Sequence, residues 1–445
     1  MDQPARGATD PRPPRDRARR ETTIAARGNN LLLPFAPLAI AGLFAGAVPV
    51  LGQASQYTAP GALGTATVAP REALQSAVAD ARWHLGPLRL DPWFGLREVA
   101  WVDPGQGPGD LTASAGLGLR AYLPAGAHAI VAAHILPEYV WWRNHADARH
   151  VGGREGVGLF VYGNRAELSL TATTSRLSGL ATSEVDQRAD QKDRRYEGNA
   201  LVPFSSELAL LLRGGVSDYS ARDTGVGIPT DFAVLDRRDS WEDAGLQWAP
   251  TGHLALSAGV GRTQSDFAAG ARDRSNDGSS WFGELAWRRV HTDAAVAYRE
   301  NRLDPKGGSE FPAFRGATGN ARIGWHPRPR FSLALYALRD LTYSVEAASP
   351  YFIDRRVGAQ LGLALGSRAN LTLFHESGTD DYVGATPDAD VTSDGAGLQV
   401  TLLAKLRLVV DGRRTHTRSP LDDRTYSQVG FQIVYHGGLG GSAWY

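Results

Sequence analysis

DLTASAGLGLRAYLP, positions 110–124, alternates without a break: Leu111, Ala113, Ala115, Leu117, Leu119, Ala121 and Leu123 are apolar, and Thr112, Ser114, Gly116, Gly118, Arg120 and Tyr122 stand between them. Successive side chains of a strand point to opposite faces, so the stretch has one greasy face and one polar or small face. The pattern recurs at Ala166, Leu168, Leu170 and Ala172 against Arg165, Glu167, Ser169 and Thr171. It returns at Leu254, Leu256, Ala258 and Val260; at Val357, Ala359, Leu361, Leu363 and Leu365; and at Leu406, Leu408 and Val410 against Lys405, Arg407 and Asp411. A period of two held over seven or more residues, many times along one chain, is a strand signal and not a helical one.

The connections alternate as regularly as the strands. Tight ones fall at Pro124-Ala125-Gly126, Gly163-Asn164, Pro203 to Ser206, Ala249 to Gly252, Arg288 to His291, His326 to Arg330, Gly366 to Arg368 and Leu403-Ala404. Longer polar segments lie between them, near 103–109, 143–153, 175–193, 220–238, 266–279, 301–314, 342–354, 377–392 and 414–424. Short turns at one rim and long loops at the other are the asymmetry of membrane barrels whose short turns face the periplasm. The segments so bounded predict an all-β fold, a closed antiparallel transmembrane β-barrel of about 18 strands (16–18). A large soluble sandwich or propeller also alternates, but strands of ten to fourteen residues exceed the usual five or six and suit a membrane crossing, which takes about 9–11.

Composition agrees with strands as the membrane-crossing elements. After the first fifty residues no apolar run approaches the roughly 20 needed for a spanning helix. The 51 Gly and 25 Pro are spread along the chain, which indicates many turns and argues against a low-complexity tract. Cysteine is absent, so rigidity must come from hydrogen-bonded sheet and not from disulfides. Formal charge is zero, and with seven Arg against four acids in residues 1–54 the remainder is slightly acidic, which leaves no basic excess to hold nucleic acid.

Arg6, Arg12, Arg15, Arg17, Arg19, Arg20 and Arg27 precede an apolar run from Leu31 to Val50 interrupted by Pro34, Pro37 and Pro49, and Gly52-Gln53-Ala54 supplies small residues for cleavage. Residues 1–54 therefore read as a secretory signal peptide with an extended basic region. Residues 55–86 read as a periplasmic N-terminal segment with a short helix within 71–85, where Leu74, Val78 and Ala81 share a side, and 87–445 as the barrel.

The non-apolar face decides what the barrel encloses. Arg120, Glu167, Glu207, Arg213, Arg299, Arg322, Arg356, Gln360, Gln399, Arg407 and Asp411 fall on it and are the candidate pore-lining residues. Arginines outnumber acids in this set, which predicts a passage biased towards anions. Trp101, Tyr139, Trp141, Trp248, Trp287, Trp325, Phe331, Tyr351 and Tyr435 fall towards strand ends, where amphipathic rings form the girdles at the two water interfaces.

The run Leu85-Gly86-Pro87-Leu88-Arg89-Leu90-Asp91-Pro92, followed by a strand and then by DLTASAGLGLRAYLP, resembles the opening of bacterial outer-membrane β-barrels of the porin type, some of them associated with exopolysaccharide systems. The resemblance implies a bacterial outer-membrane location and no catalytic residues. Two functions are compatible with it: passive diffusion of small polar or anionic solutes, or export and anchoring of a surface exopolysaccharide with 55–86 as plug or partner contact. The partners it implies are outer-membrane lipid, lipopolysaccharide, the barrel-assembly machinery and, in the second case, polysaccharide-export proteins. The chain departs from the usual aromatic finish, because HGGLGGSAWY follows the alternating Val429, Phe431, Ile433 and Tyr435.

Signals for other chemistry are sparse. Asp273, Ser275, Asp277 and Glu284 have the spacing of a calcium loop, but Ser275 and Ser280 depart from its pattern and the surroundings read as strand. Asp388, Asp390 and Asp394 form a second acidic loop. The eleven His show no helical metal-binding pair, although His134, Glu138, His375 and Glu376 are placed to line a barrel. GLGLRA and GVGRTQ lack a following helix, and His436-Gly437-Gly438 lacks a nucleophile elbow, so neither a nucleotide site nor a hydrolase is expected, and no cofactor.

Overall fold

The computed structural model describes residues 57–436 apart from 65–69, 104–107, 227–228, 308, 310–311, 404 and 421. The leader predicted over 1–54 and the Gly-rich tail beyond His436 lie outside the described residues.

A short strand β1 (Trp83–Leu85) turns at Gly86, whose φ of +62° suits only glycine well, and pairs with β2 (Leu88–Asp103) through Leu85↔Leu88. From β2 onward every strand pairs antiparallel with the next, through β3 (Asp110–Ala125), β4 (Ala129–Trp142), β5 (His150–Tyr162), β6 (Glu167–Leu180), β7 (Arg188–Pro203) and so on to β19 (Asp423–His436). β19 then pairs back on β2, with Val429 opposite Trp101 and Tyr435 opposite Phe94, which closes an 18-strand ring. Closure leaves no sheet edge, so the backbone donors and acceptors of the wall are paired without water, the condition for standing in hydrocarbon.

The strands of the ring run 13 to 16 residues, longer than the 9–11 a tilted strand needs to cross, and the surplus projects on the long-loop side. That is visible where β16 (Ala369–Val383) meets β17 (Ala389–Leu403). Near the short turns the outer face carries Leu371, Leu373, Leu398 and Val400, and above them it turns polar at the hydrogen-bonded pair His375 and Asp394. His375 therefore faces outward and does not line the interior.

Side-chain alternation follows the pleat. In β3, Leu117 stands 72% exposed on the outer face while Thr112, Ser114, Arg120 and Tyr122 are buried inward. Outward Ile135, Val157, Leu246, Val260, Ile323, Leu335, Val357 and Val429 continue the belt around the ring. On a soluble protein such a band would be an aggregation surface; lipid is the solvent that makes it favourable. Trp101, Tyr139, Trp248 and Trp325 remain outward and half-exposed towards the belt's margins. Tyr351 departs from the expected girdle. It is 2% exposed and turned inward, packing edge-to-face on Phe314 in an apolar cluster under the long loops.

Candidate functional site: a partitioned barrel interior

Eighteen strands about 4.8 Å apart and tilted by about 40° enclose a tube roughly 35 Å across, backbone to backbone. Two segments of the chain narrow it. The first is the stretch before β1, which the sequence reading leaves in the periplasm. Its described parts from Tyr57 to Asp80 lie inside the barrel, where they meet inward-facing side chains; past the helix, Arg82 reaches the rim and donates to the Tyr435 hydroxyl.

Helix α1 (Pro70–Asp80) is 11 residues long, too short to span a membrane, and its Leu74 and Ala77 pack with Ala81 on Tyr122, Ile130, Ala132 and Phe160 of β3, β4 and β5. Arg71 donates to Glu167 of β6 at 2.7 Å with its guanidinium 4.6 Å over the Tyr162 ring. Seven residues before Arg71 the chain is at the opposite wall. Arg322 of β13 (Phe314–Arg328) donates to the Gly64 carbonyl at 3.0 Å, and Arg356 of β15 (Tyr351–Leu365) to the Thr58 carbonyl at 2.7 Å. The Gly61 amide donates to Glu376 of β16 at 3.1 Å. β4 and β13 are nine places apart in a ring of 18, so the segment crosses the full lumen. Gly61 is required at this contact: its φ is +78°, and a Cβ would meet the Phe374 ring at 2.8 Å.

The second segment is the loop 181–187 between β6 and β7, on the long-loop side. Ser183 donates to Asp380 of β16 at 2.9 Å, and Glu184 accepts from the Val345 amide at 2.8 Å and from the Ser344 hydroxyl. Ser344 and Val345 follow β14 (Phe331–Tyr343), eight strands from β6, so this loop bridges the mouth. Beneath it Ala181, Phe232, Leu235, Phe267, Tyr343 and Ile353 form a continuous apolar core. Such a core is a packed cap and not a solvated fringe.

Between the two lies a cavity of about 430 Å³ beside Tyr57, lined by Arg97, Arg154, Arg176, Arg188 and Arg413 and by Glu98, Glu138, Asp193 and Asp411. A β-bulge builds part of it. The β2 register slips between Arg97 and Ala100, and Glu98 takes a φ of +51°. A regular strand would send Arg97 and Glu98 to opposite faces; the bulge lets both reach inward, Arg97 to Glu138 and Glu98 to Arg188. Arg413 lies 5.2 Å from the Tyr426 ring and donates to Gln428. Tyr57 is half-buried against Ala100, Val102, Leu180 and Tyr426, and desolvation pushes its hydroxyl up to about 12, so it stays neutral.

Arg120 faces Asp91 at 3.6 Å. Arg213 of β8 (Leu208–Asp223) bonds Glu284 at 2.7 Å, and Arg299 of β12 (Thr292–Pro305) bonds Asp243 at 2.7 Å, with the Phe282 ring beneath both guanidinium groups. Arg322 bonds Asp293, and Arg356 bonds Asp354 and Glu376. Glu167 is taken by α1, Gln360 abuts Gly64, and Asp411 lines the cavity. Gln399 and Arg407 share the inward parity of their strands, β17 and β18 (Leu406–Arg418).

Two expectations fail. Glu207 is not on a strand: it sits in the short turn 204–207 between β7 and β8 and accepts from the Trp248 indole, so it belongs to the rim. The arginine excess is also offset, because Asp91, Asp243, Asp293, Asp354, Glu284 and Glu376 each face one of these arginines. Sequence parity could have found these acids, since each lies on the polar face of a strand. The calcium spacing also dissolves: β11 begins at Asn276 and runs to Arg288, which carries Glu284 far along the wall to Arg213. Among the described residues no group of three or more His, Asp or Glu is arranged to hold a metal.

No family model and no curated protein sequence matches the chain. Solved structures do. OccK2 (OpdF) of Pseudomonas aeruginosa superposes with a TM-score of 0.50 at 12% identity, over 81% of this chain and 100% of that one. OccK5 (OpdH) of the same organism gives 0.45 at 10%, over 78% and 97%, and the copper transporter OprC gives 0.45 at 11%, over 80% of this chain. The chain spans 65% of the OprC length. At such identities the likeness speaks for the fold alone. With the closed ring and its apolar belt, that fold establishes the chain as an 18-strand β-barrel of the bacterial outer membrane.

Proposed function

We propose that the chain is a channel for passive diffusion of small polar solutes, selective by size and modestly in favour of anions. The observation that carries this reading is the charged cavity beside Tyr57, held between the inner segment and the mouth loop in an otherwise wide barrel. Polar groups that line a water-filled constriction replace part of a solute's hydration, and their charge balance biases which ions pass. Five arginines against four carboxylates line this cavity, a smaller excess than strand parity alone suggests. The predicted bias is correspondingly weak.

Reconstituted in a planar bilayer under a salt gradient, the protein is expected to conduct with a reversal potential on the anion side. Arg413→Gln, which removes a lining charge and keeps its hydrogen-bonding length, is expected to move that potential towards zero. Absence of conductance from folded protein would overturn the channel reading. Cation preference, or a potential unmoved by Arg413→Gln, would overturn the role of the cavity.

A further inference from the structure

The mouth loop is tied down by a carboxylate in an unusual setting. Glu184 is 4% exposed and reaches across to Ser344 and the Val345 amide. Around its head stand the Tyr382 hydroxyl of β16, the acidic Asp380 and Glu346, and Arg274 of the neighbouring loop. The positive groups are spent elsewhere. Arg274 donates to the Ser344 and Glu346 carbonyls, and Arg424 donates to the Glu184 main-chain carbonyl while pairing with Asp186 at 2.8 Å. Ser183 docks on Asp380, and Asp380 stands in register with Asp354, which in turn stands opposite Asp340. Three carboxylates thus line up on adjacent strands with Arg356 bonded to the middle one, and like charges directly opposite oppose pairing.

We propose that loop 181–187 is a proton-operated closure of the extracellular mouth, docked while Glu184 is protonated and released as it ionises. A buried carboxylate without a cationic partner loses its hydration on ionising, whereas the neutral acid still bonds Ser344 and the Val345 amide. In the docked loop burial pushes Glu184 up to about 7, and in the released, hydrated loop it returns to the ordinary 4.5. Docking is therefore strongest below pH 4.5, weakens as pH rises from there to about 7, and is level above. Asp186, raised by burial to about 6 against the opposing pull of Arg424, acts in the same direction. The gap at Glu184 corresponds to roughly a 300-fold change in the docking equilibrium across the window.

The chain has no cysteine, which permits a test that does not depend on whether the barrel conducts. Val185→Cys reports the loop, and Ala146→Cys, at an exposed position of the loop between β4 and β5 on the same side of the bilayer, corrects for thiol ionisation. In phospholipid vesicles, the rate of modification at 185 by a water-soluble thiosulfonate, divided by that at 146, is expected to rise by about tenfold or more from pH 5 to pH 7.5. With Glu184→Gln the ratio is expected to stay low throughout, heat-modifiable mobility verifying the folded barrel. Ser344→Ala, which removes one loop contact and leaves the strands intact, should raise the ratio at pH 5. A flat ratio with Glu184 present, a rise unchanged in Glu184→Gln, or no effect of Ser344→Ala would each overturn the proposal.

Discussion

Leu117→Arg is expected to destabilise the folded barrel by about 2–4 kcal/mol, the cost of an arginine on the lipid face near the bilayer midplane. Leu117 projects from the middle of β3, is 72% exposed and stands opposite the outward Phe94. Chemical unfolding in phospholipid vesicles would measure the loss as a shift in midpoint. The same exchange at Ile323 or Leu335, outward on β13 and β14, should cost a similar amount. Arg407→Gln, inward on β18, should change the midpoint little, because that face already has polar company. Arg120→Gln is not an equally neutral control, since it leaves the buried Asp91 facing an uncharged amide.

Gly61→Val is expected to raise single-channel conductance several-fold, because it dislodges the inner segment without altering the wall. At φ +78° a branched residue is strained by roughly 1–2 kcal/mol, and its Cβ would also lie 2.8 Å from the Phe374 ring. The segment has an easier alternative than distorting a closed sheet: Gly61 leaves Glu376, and the carbonyls of Thr58 and Gly64 leave Arg356 and Arg322. The freed arginines keep their carboxylates, Asp354 and Asp293, so the wall is not left with stranded charge. Wild-type conductance in Gly61→Val would show that the segment does not obstruct the passage.

The wall of the barrel is written locally in the chain, which is why it is legible. The period of two in 110–124 and the tight turns at Gly126 and Gly366, whose φ values are +70° and +77°, need no knowledge of distant residues. The interior is set by long-range contacts. Gly61 meets Glu376 across 315 residues, and nothing near 57–80 in the sequence distinguishes a helix in the periplasm from one folded against Ala132 and Phe160. The mouth loop shows the same limit, since Glu184 finds Ser344 from eight strands away. Glu207 is misplaced because a turn beside Leu208 interrupts the alternation, and one residue of error in a strand end changes the face. Glu98 escapes parity altogether: a bulge is a local insertion in register, visible only against the partner strand.

The assignment of faces underlies every functional statement, and lipid quenching tests it directly. A polarity-sensitive fluorophore is attached to single cysteines at Leu117, Leu256, Leu361 and Leu408, on the outward parity, and at Gln399, Arg407 and Asp411, on the inward one. The protein is then folded into vesicles whose acyl chains carry bromine. The outward set should be quenched by the brominated chains and the inward set should not. Quenching of the inward set with sparing of the outward one, or no quenching at any position, would contradict the transmembrane barrel.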